Sequence, residues 1–295
     1  MVDLPTQDWL TPIIAFTVSA IGSFLGLAFA ARARRSKTFT RWQWLALASL
    51  SLGGMALWSM HFIAMMGFSP VGTSIRYDAL LTVVSGVTAV LVMGVALTIT
   101  ISWQRTSTLL LGGLVAGAGI VAMHYTGMAS MSVHGELHHD PVYVALASAI
   151  ALVAATSALW CASRLRGMTA ILLASPVMAV AVTSMHYTGM LGVHIEPSRL
   201  NRYGPPPGAS TTDLLLPMMT GLFVFLLVCS LFLLLGVDEE RPDYARRPVH
   251  ATPAPPDSER VPDAGYRPRH GAAPAPAPPA PPARAPEDDV WTRRR

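Results

Sequence analysis

The chain has 295 residues, 52% of them hydrophobic and only 13% charged, where a soluble domain carries about 25%. The charges are segregated: residues 1–237 hold 18 of them and the last 58 residues hold 20. With two cysteines and a formal charge of +4, this balance excludes a single soluble globule, a disulfide scaffold and a nucleic-acid binder with a basic face. It predicts an integral membrane protein with a polar tail.

Seven windows lack Asp, Glu, Lys and Arg and are long enough to cross about 30 Å of hydrocarbon. In chain order they are roughly Trp9–Ala31, Trp42–Phe68, Ala79–Ile101, Thr108–Met131, Pro141–Ala162, Met168–Val193 and Leu214–Val237. Backbone polar groups must be satisfied internally in lipid, so these segments are predicted to be helices. None shows the two-residue alternation of a membrane barrel strand. The predicted fold is all-α and polytopic, with a membrane domain over residues 1–237.

Loop charge predicts the orientation. The loop after span one holds Arg32, Arg34, Arg35, Lys37 and Arg41; Arg105 follows span three, and Arg164 and Arg166 follow span five. The other side holds Asp3, Asp8, Asp78, Glu136, Asp140, Glu196 and Asp213, with Arg76, Arg199 and Arg202. Positive loops stay inside, so the N-terminus is placed outside and the C-terminus in the cytoplasm. Span one carries acids before it and the basic cluster after it, so it reads as a retained helix rather than a cleaved signal peptide. Cys161 and Cys229 fall within spans and read as free thiols with packing roles.

Residues 238–295 contain 14 Pro, many in Pro-Ala runs, ten basic and ten acidic residues, and almost no aliphatic side chains. This Pro/Ala/Arg-rich segment is predicted to be a disordered cytoplasmic tail with local polyproline stretches.

Three spans end in similar words: Met60-His61-Phe62-Ile63, Met123-His124-Tyr125-Thr126 and Met185-His186-Tyr187-Thr188. The histidines are 63 and 62 residues apart, a period of two spans and two loops. The membrane domain therefore reads as three tandem two-helix repeats, about 9–68, 79–131 and 141–193, plus an extra helix at 214–237. Every motif helix is an even-numbered span, so the three histidines lie at one depth near the outer leaflet. Parallel repeats around an axis along the membrane normal bring such rings together.

In each copy a methionine follows the histidine by four residues, on the same helix face: Met65, Met128 and Met190. Another precedes it directly, about 100° round the helix: Met60, Met123 and Met185. Imidazole and thioether form a soft, neutral ligand set that suits copper, Cu(I) above all, better than hard cations. Zinc more often recruits Cys or a carboxylate, and no span contains an acid. Haem with histidine axial ligands is the rival cofactor. Tyr125, Thr126, Tyr187 and Thr188 stand where their hydroxyls support the histidines from a second layer. The segments after spans four and six add His134, His138, His139 and His194 beside Glu136, Asp140 and Glu196; they read either as solvated loops or as an outer-face metal or pH-sensing cluster.

At these words the chain resembles the MHYT-domain family of bacterial integral membrane proteins. Met123-His124-Tyr125-Thr126 and Met185-His186-Tyr187-Thr188 are full matches; the first copy keeps Met60 and His61 but has Phe62 and Ile63. The resemblance implies a copper-binding sensor that responds to a diatomic gas or to redox state near the outer surface. It also implies signalling through a cytoplasmic partner, since family members are often joined to cyclic-di-GMP enzymes or kinases. A copper-handling protein serving oxidase assembly uses the same ligands. A transporter ranks behind both, because no span holds a carboxylate or Arg. No nucleophile–base or acid pair is visible, so a non-catalytic module is expected. Its other partner is the lipid bilayer.

Overall fold

Charge-free apolar stretches give seven helices long and apolar enough to cross a membrane in the computed structural model. The structure describes residues 9–68, 75–133, 135–197 and 206–236. The chain divides into two units, Met1–Arg241 and Pro242–Arg295, and all described residues belong to the first. The tail predicted from Asp238, and His134, lie outside the described residues.

Helix α1 spans Leu10–Arg35. The second crossing, Thr38–Met66, is built from α2 (Thr38–Ser49), a π-helical segment (Leu50–Ser59) and α3 (Met60–Met66). Then follow α4 (Ala79–Trp103), α5 (Thr106–Ala129), α6 (Pro141–Arg164), α7 (Met168–Leu191) and α8 (Thr211–Gly236). The protein is thus a multi-pass, all-α membrane protein. Helices α1 and α2 reach several residues beyond the charge-free windows. Arg residues end α1 favourably, because cations suit the carbonyl end of a helix. Arg34 also donates to the carbonyls of Ala162 and Leu165 at the end of α6.

The helices have large apolar residues outward and small ones inward, as expected where lipid is the outer solvent. On α4, Leu80, Val83, Val87 and Leu91 are exposed while Thr82, Ser85, Ala89 and Ala96 are buried. On α7, Leu173, Val177 and Val180 face outward and Ser175 and Ala179 inward. The first two crossings are the most buried, and α1 packs against α2, the π segment, α3, α6 and α7. Close approach explains the small residues: a Cβ on Gly22 would sit 2.7 Å from the Ala56 backbone nitrogen. Helix α8 is the least buried crossing.

The helices that start at the motif end are capped by acids. Asp78 Oδ1 accepts from Leu81 N–H at 2.9 Å, and Asp140 Oδ1 from Val142 N–H at 2.8 Å with Pro141 at the first helical position. At the start of α8, Ser210 and Asp213 bond reciprocally, Ser210 N–H to Asp213 Oδ2 and Asp213 N–H to Ser210 Oγ.

Two short antiparallel ladders join the segments at this end. β1 (Arg76–Tyr77) pairs with β2 (Met131–Ser132), and Tyr77 exchanges two backbone bonds of 2.9 Å with Ala209. β3 (Gly135–His139) pairs with β4 (Val193–Pro197), His138 opposite His194 and Glu136 opposite Glu196. The segments after spans four and six are therefore hydrogen-bonded strands rather than separate solvated loops. Their pairing comes from the adjacency of helix ends that lie about 60 residues apart in sequence; Val193-His194-Ile195-Glu196 alternates apolar and polar residues, but a run this short does not by itself reveal its partner strand.

A buried three-histidine centre

The three motif helices each end five residues after their histidine: α3 at Met66, α5 at Ala129 and α7 at Leu191. This equal offset places His61, His124 and His186 in one layer about 7–8 Å below the helix ends. The rings meet. Their centroids are 4.9, 4.9 and 5.2 Å apart, and each pair is edge-to-face. His61 is the hub: its Nδ1 lies 3.0 Å from Nδ1 of His186 and 3.2 Å from Nδ1 of His124. Each residue is 1% exposed.

Small residues let the rings approach. A Cβ on Gly127 would overlap Nε2 of His61, and one on Gly189 would lie 2.5 Å from Nε2 of His124. Each of these glycines follows a motif histidine by three residues. The ring of copy one thus packs against the glycine of copy two, and the ring of copy two against the glycine of copy three. In copy one the matching position is Ala64, buried at 4% exposure.

All three Nε2 atoms are buried without a hydrogen-bond partner. The hydroxyls of Tyr125, Thr126, Tyr187 and Thr188 therefore make no bond to these nitrogens. Tyr125 and Tyr187 instead hold their rings 4.9 and 5.1 Å from those of His124 and His186. Phe62 takes the same place beside His61, at 5.0 Å, so the first copy keeps the ring contact and lacks the hydroxyl.

The two methionine sets part company. Met65 and Met128 are buried in one apolar cluster with Phe62, Tyr77, Met131 and Val193, and Met190 packs on it. Met60 joins a different cluster with Ala15, Ile63 and Ala64, while Met123 and Met185 belong to the main core between the helices. The set four residues after the histidines is thus gathered at one place, and the preceding set is dispersed.

Tyr77 is a residue the sequence reading passed over. It is 2% exposed, its ring centroid lies 6.2 Å from that of Phe62, and burial pushes its phenol up to about 12. A lone Tyr two residues before a span carries no signal; only the pairing of β1 with β2 and Ala209 brings it into the methionine cluster.

The histidines of the β3–β4 ladder divide by strand alternation. His138 and His194 are exposed. His139 turns inward, its ring 5.4 Å from that of Tyr125 and its Nε2 buried without a partner. Burial, then the neighbouring His138, pushes the His139 imidazole below its ordinary value. Among the described residues, His61, His124 and His186 are the one group of His, Cys, Asp or Glu whose donor atoms, as placed, already surround a point closely enough to hold an ion.

Fold and site together define a multi-pass helical membrane protein with an internal repeat and a buried three-histidine centre. Residues 54–113 and 117–175 match the family MHYT, described as "Bacterial signalling protein N terminal repeat". Each match begins seven residues before a motif histidine. The chain thus carries two repeats of this MHYT family. It is 38% identical over 192 residues to the bifunctional diguanylate cyclase/cyclic di-GMP phosphodiesterase MucR of Pseudomonas aeruginosa, covering 60% of this chain and 27% of MucR. It is 35% identical over 187 residues to the cyclic di-GMP phosphodiesterase NbdA of the same organism, covering 60% of this chain and 23% of NbdA. A signalling protein of Caulobacter vibrioides is 29% identical over 66% of this chain and 24% of its own length. The chain thus spans about a quarter of these relatives. No solved structure matches it.

Proposed function

We propose that the membrane domain is a sensing module in which His61, His124 and His186 hold one copper ion, with Met65, Met128 and Met190 as the adjacent soft donors. The observation that carries this reading is the convergence of three buried Nδ1 atoms, with separations of 3.0 and 3.2 Å. Nitrogens that share one ion at about 2.0–2.1 Å lie about 3.3–3.6 Å apart, so the two pairs that include His61 need only a few tenths of an ångström of outward movement.

Proton counting supports the same reading. Three neutral imidazoles carry three protons, and the two Nδ1 contacts accommodate at most two. Whatever the tautomers, the Nε2 atoms stay unsatisfied, at a cost of about 1–3 kcal/mol for each buried group. A cluster that expensive is a poor stability device and calls for a functional reason. The donor set is neutral, which favours a singly charged soft ion over a divalent one. The ring contacts count against haem, because a macrocycle has no slot between rings 4.9–5.2 Å apart.

In this reading copper supplies a change of oxidation state or an open position for a diatomic ligand. The chain's own residues hold the rings: Gly127 and Gly189 set how closely the helices approach, and Phe62, Tyr125 and Tyr187 wall the imidazoles from the side. Any change in the separation of the three nitrogens is a change in the relative position of α3, α5 and α7. By loop charge the site lies toward the outer leaflet and the chain ends in the cytoplasm. MucR and NbdA carry cyclic-di-GMP activities in their names; here the same membrane unit would act on a cytoplasmic signalling partner.

Copper analysis of the purified protein tests the reading. The expected result is about one copper per chain, lost when His124 and His186 are both replaced by Ala. Absence of copper under both reducing and oxidising conditions, or a haem absorption band, would overturn it.

A further inference from the structure

We infer that the β3–β4 ladder carries a second metal site, for a divalent ion of the Zn(II) or Cu(II) class, formed by His138, His194 and Glu196. It is separate from the buried centre in place and in chemistry. Residues directly opposite on antiparallel strands have Cβ atoms about 4.5–5.5 Å apart, and alternate residues along a strand share a face. The ladder sets His138 opposite His194, and Glu196 lies two residues beyond His194 on the same face. One side of the trio is already formed, with His138 Nε2 3.8 Å from Glu196 Oε2; the three donors are not gathered around one point as the buried histidines are, and His194 turns about its exposed side-chain bonds to join them. Both side chains are open to solvent, 54% and 76% exposed, and His194 is exposed as well.

Two imidazoles and a carboxylate form a borderline donor set. Imidazole suits zinc, copper and nickel, and the carboxylate neutralises part of a divalent charge, which the buried set has no means to do. Three protein donors at an exposed position leave further coordination to water. The register also decides which histidines take part. His139, one residue on, lies on the opposite face against Tyr125. Strand β3 comes after α5, the last helix of the second repeat, and β4 after α7, the last helix of the third, so an ion held across the ladder clips together the ends of two repeats.

Zn(II) competition against a chromophoric chelator, on the full chain in detergent, tests the site. Replacing His138 or His194 by Ala should weaken one equivalent of Zn(II) at least about tenfold, since even an outer partner of a metal ligand is worth about 10–100-fold. The double variant should lose that equivalent, Glu196→Gln should weaken it, and His139→Ala should leave it within about twofold. Exposed His138 and His194 bear little on folding, so these variants report binding. Unchanged affinity in the His138→Ala and His194→Ala variants would overturn the proposal. So would an equal loss in His139→Ala, the pattern of adventitious binding to surface imidazoles. A chain with His124 and His186 replaced by Ala should keep this equivalent; its loss from a folded protein would assign the ion to the buried centre instead.

Discussion

Gly127 and Gly189 are required because the imidazole of the neighbouring copy occupies the space a methyl group would take. Gly127→Ala or Gly189→Ala should force α5 or α7 outward, with an overpacking cost of about 1–3 kcal/mol, and copper stoichiometry should fall with it. Ala64→Gly, at the matching position of copy one, should cost about 0.5–1 kcal/mol through helix propensity alone and leave copper bound. Equal copper content in all three variants would remove the glycines from the account of the site. Tyr125 makes a second residue-scale case. Its hydroxyl is buried without a partner, so Tyr125→Phe removes an unsatisfied group and should leave thermal stability unchanged or raised. A clear fall in melting temperature would show that the hydroxyl has a partner in the membrane. The Met-His words made the histidines legible from sequence; that the tyrosines serve as ring walls rather than as hydrogen-bond partners was not legible, because spacing says nothing about where a hydroxyl finds an acceptor.

The element with the least expected geometry is the π segment, Leu50–Ser59, directly before Met60 and His61. Its looser turn has the Ser59 hydroxyl donating to the Gly54 carbonyl, five residues back, at 3.0 Å. Gly53 presses its backbone on Ala89, where a Cβ would sit 2.6 Å from the carbonyl oxygen. Irregular turns of this kind cluster at functional sites. Deleting Gly54 should tighten the segment toward α-helix and swing the residues after it by about 100°. His61, the hub of the ring contacts, should then leave the layer, and copper should be lost while the protein still inserts in the membrane. Retained copper would show that the π geometry does not set the position of His61. Caps are the other element-scale device. Asp140→Ala should cost about 1 kcal/mol, read as a lowered melting temperature, because Val142 N–H loses its acceptor. These caps also give the charge map a second cause. Acids gather at the end where α4, α6 and α8 begin, and arginines at the end where α1 and α6 finish, as helix dipoles favour. The acidic side thus reflects local capping as well as topology.

For the whole molecule, the charge map predicts an N-terminus outside and a C-terminus in the cytoplasm. A cysteine at Ser36, in the basic turn after α1, should react with an impermeant thiol reagent only in inverted vesicles. Reaction in intact cells would reverse the topology. Truncation at Arg241, the end of the first unit, should leave insertion and copper binding intact, since the segment beyond it has little apolar surface with which to pack. Loss of copper on truncation would tie the tail to the membrane domain.

The number of spans, their order and the threefold repeat were written in the sequence, because lipid demands long charge-free helices and a repeated word needs no structure to be seen. The equal depth of His61, His124 and His186 followed from their equal distance to the ends of even-numbered spans. What tertiary structure decided was contact. The facing of three rings depends on the approach of α3, α5 and α7, set by Gly127 and Gly189 against rings more than 60 residues away in sequence. The sorting of the methionines, Met65, Met128 and Met190 together and Met60, Met123 and Met185 apart, depends on which neighbour each helix face meets. The pairing of His138 with His194 rather than with a repeat-equivalent residue depends on strand register, which for strands of five residues is fixed by the helices they join.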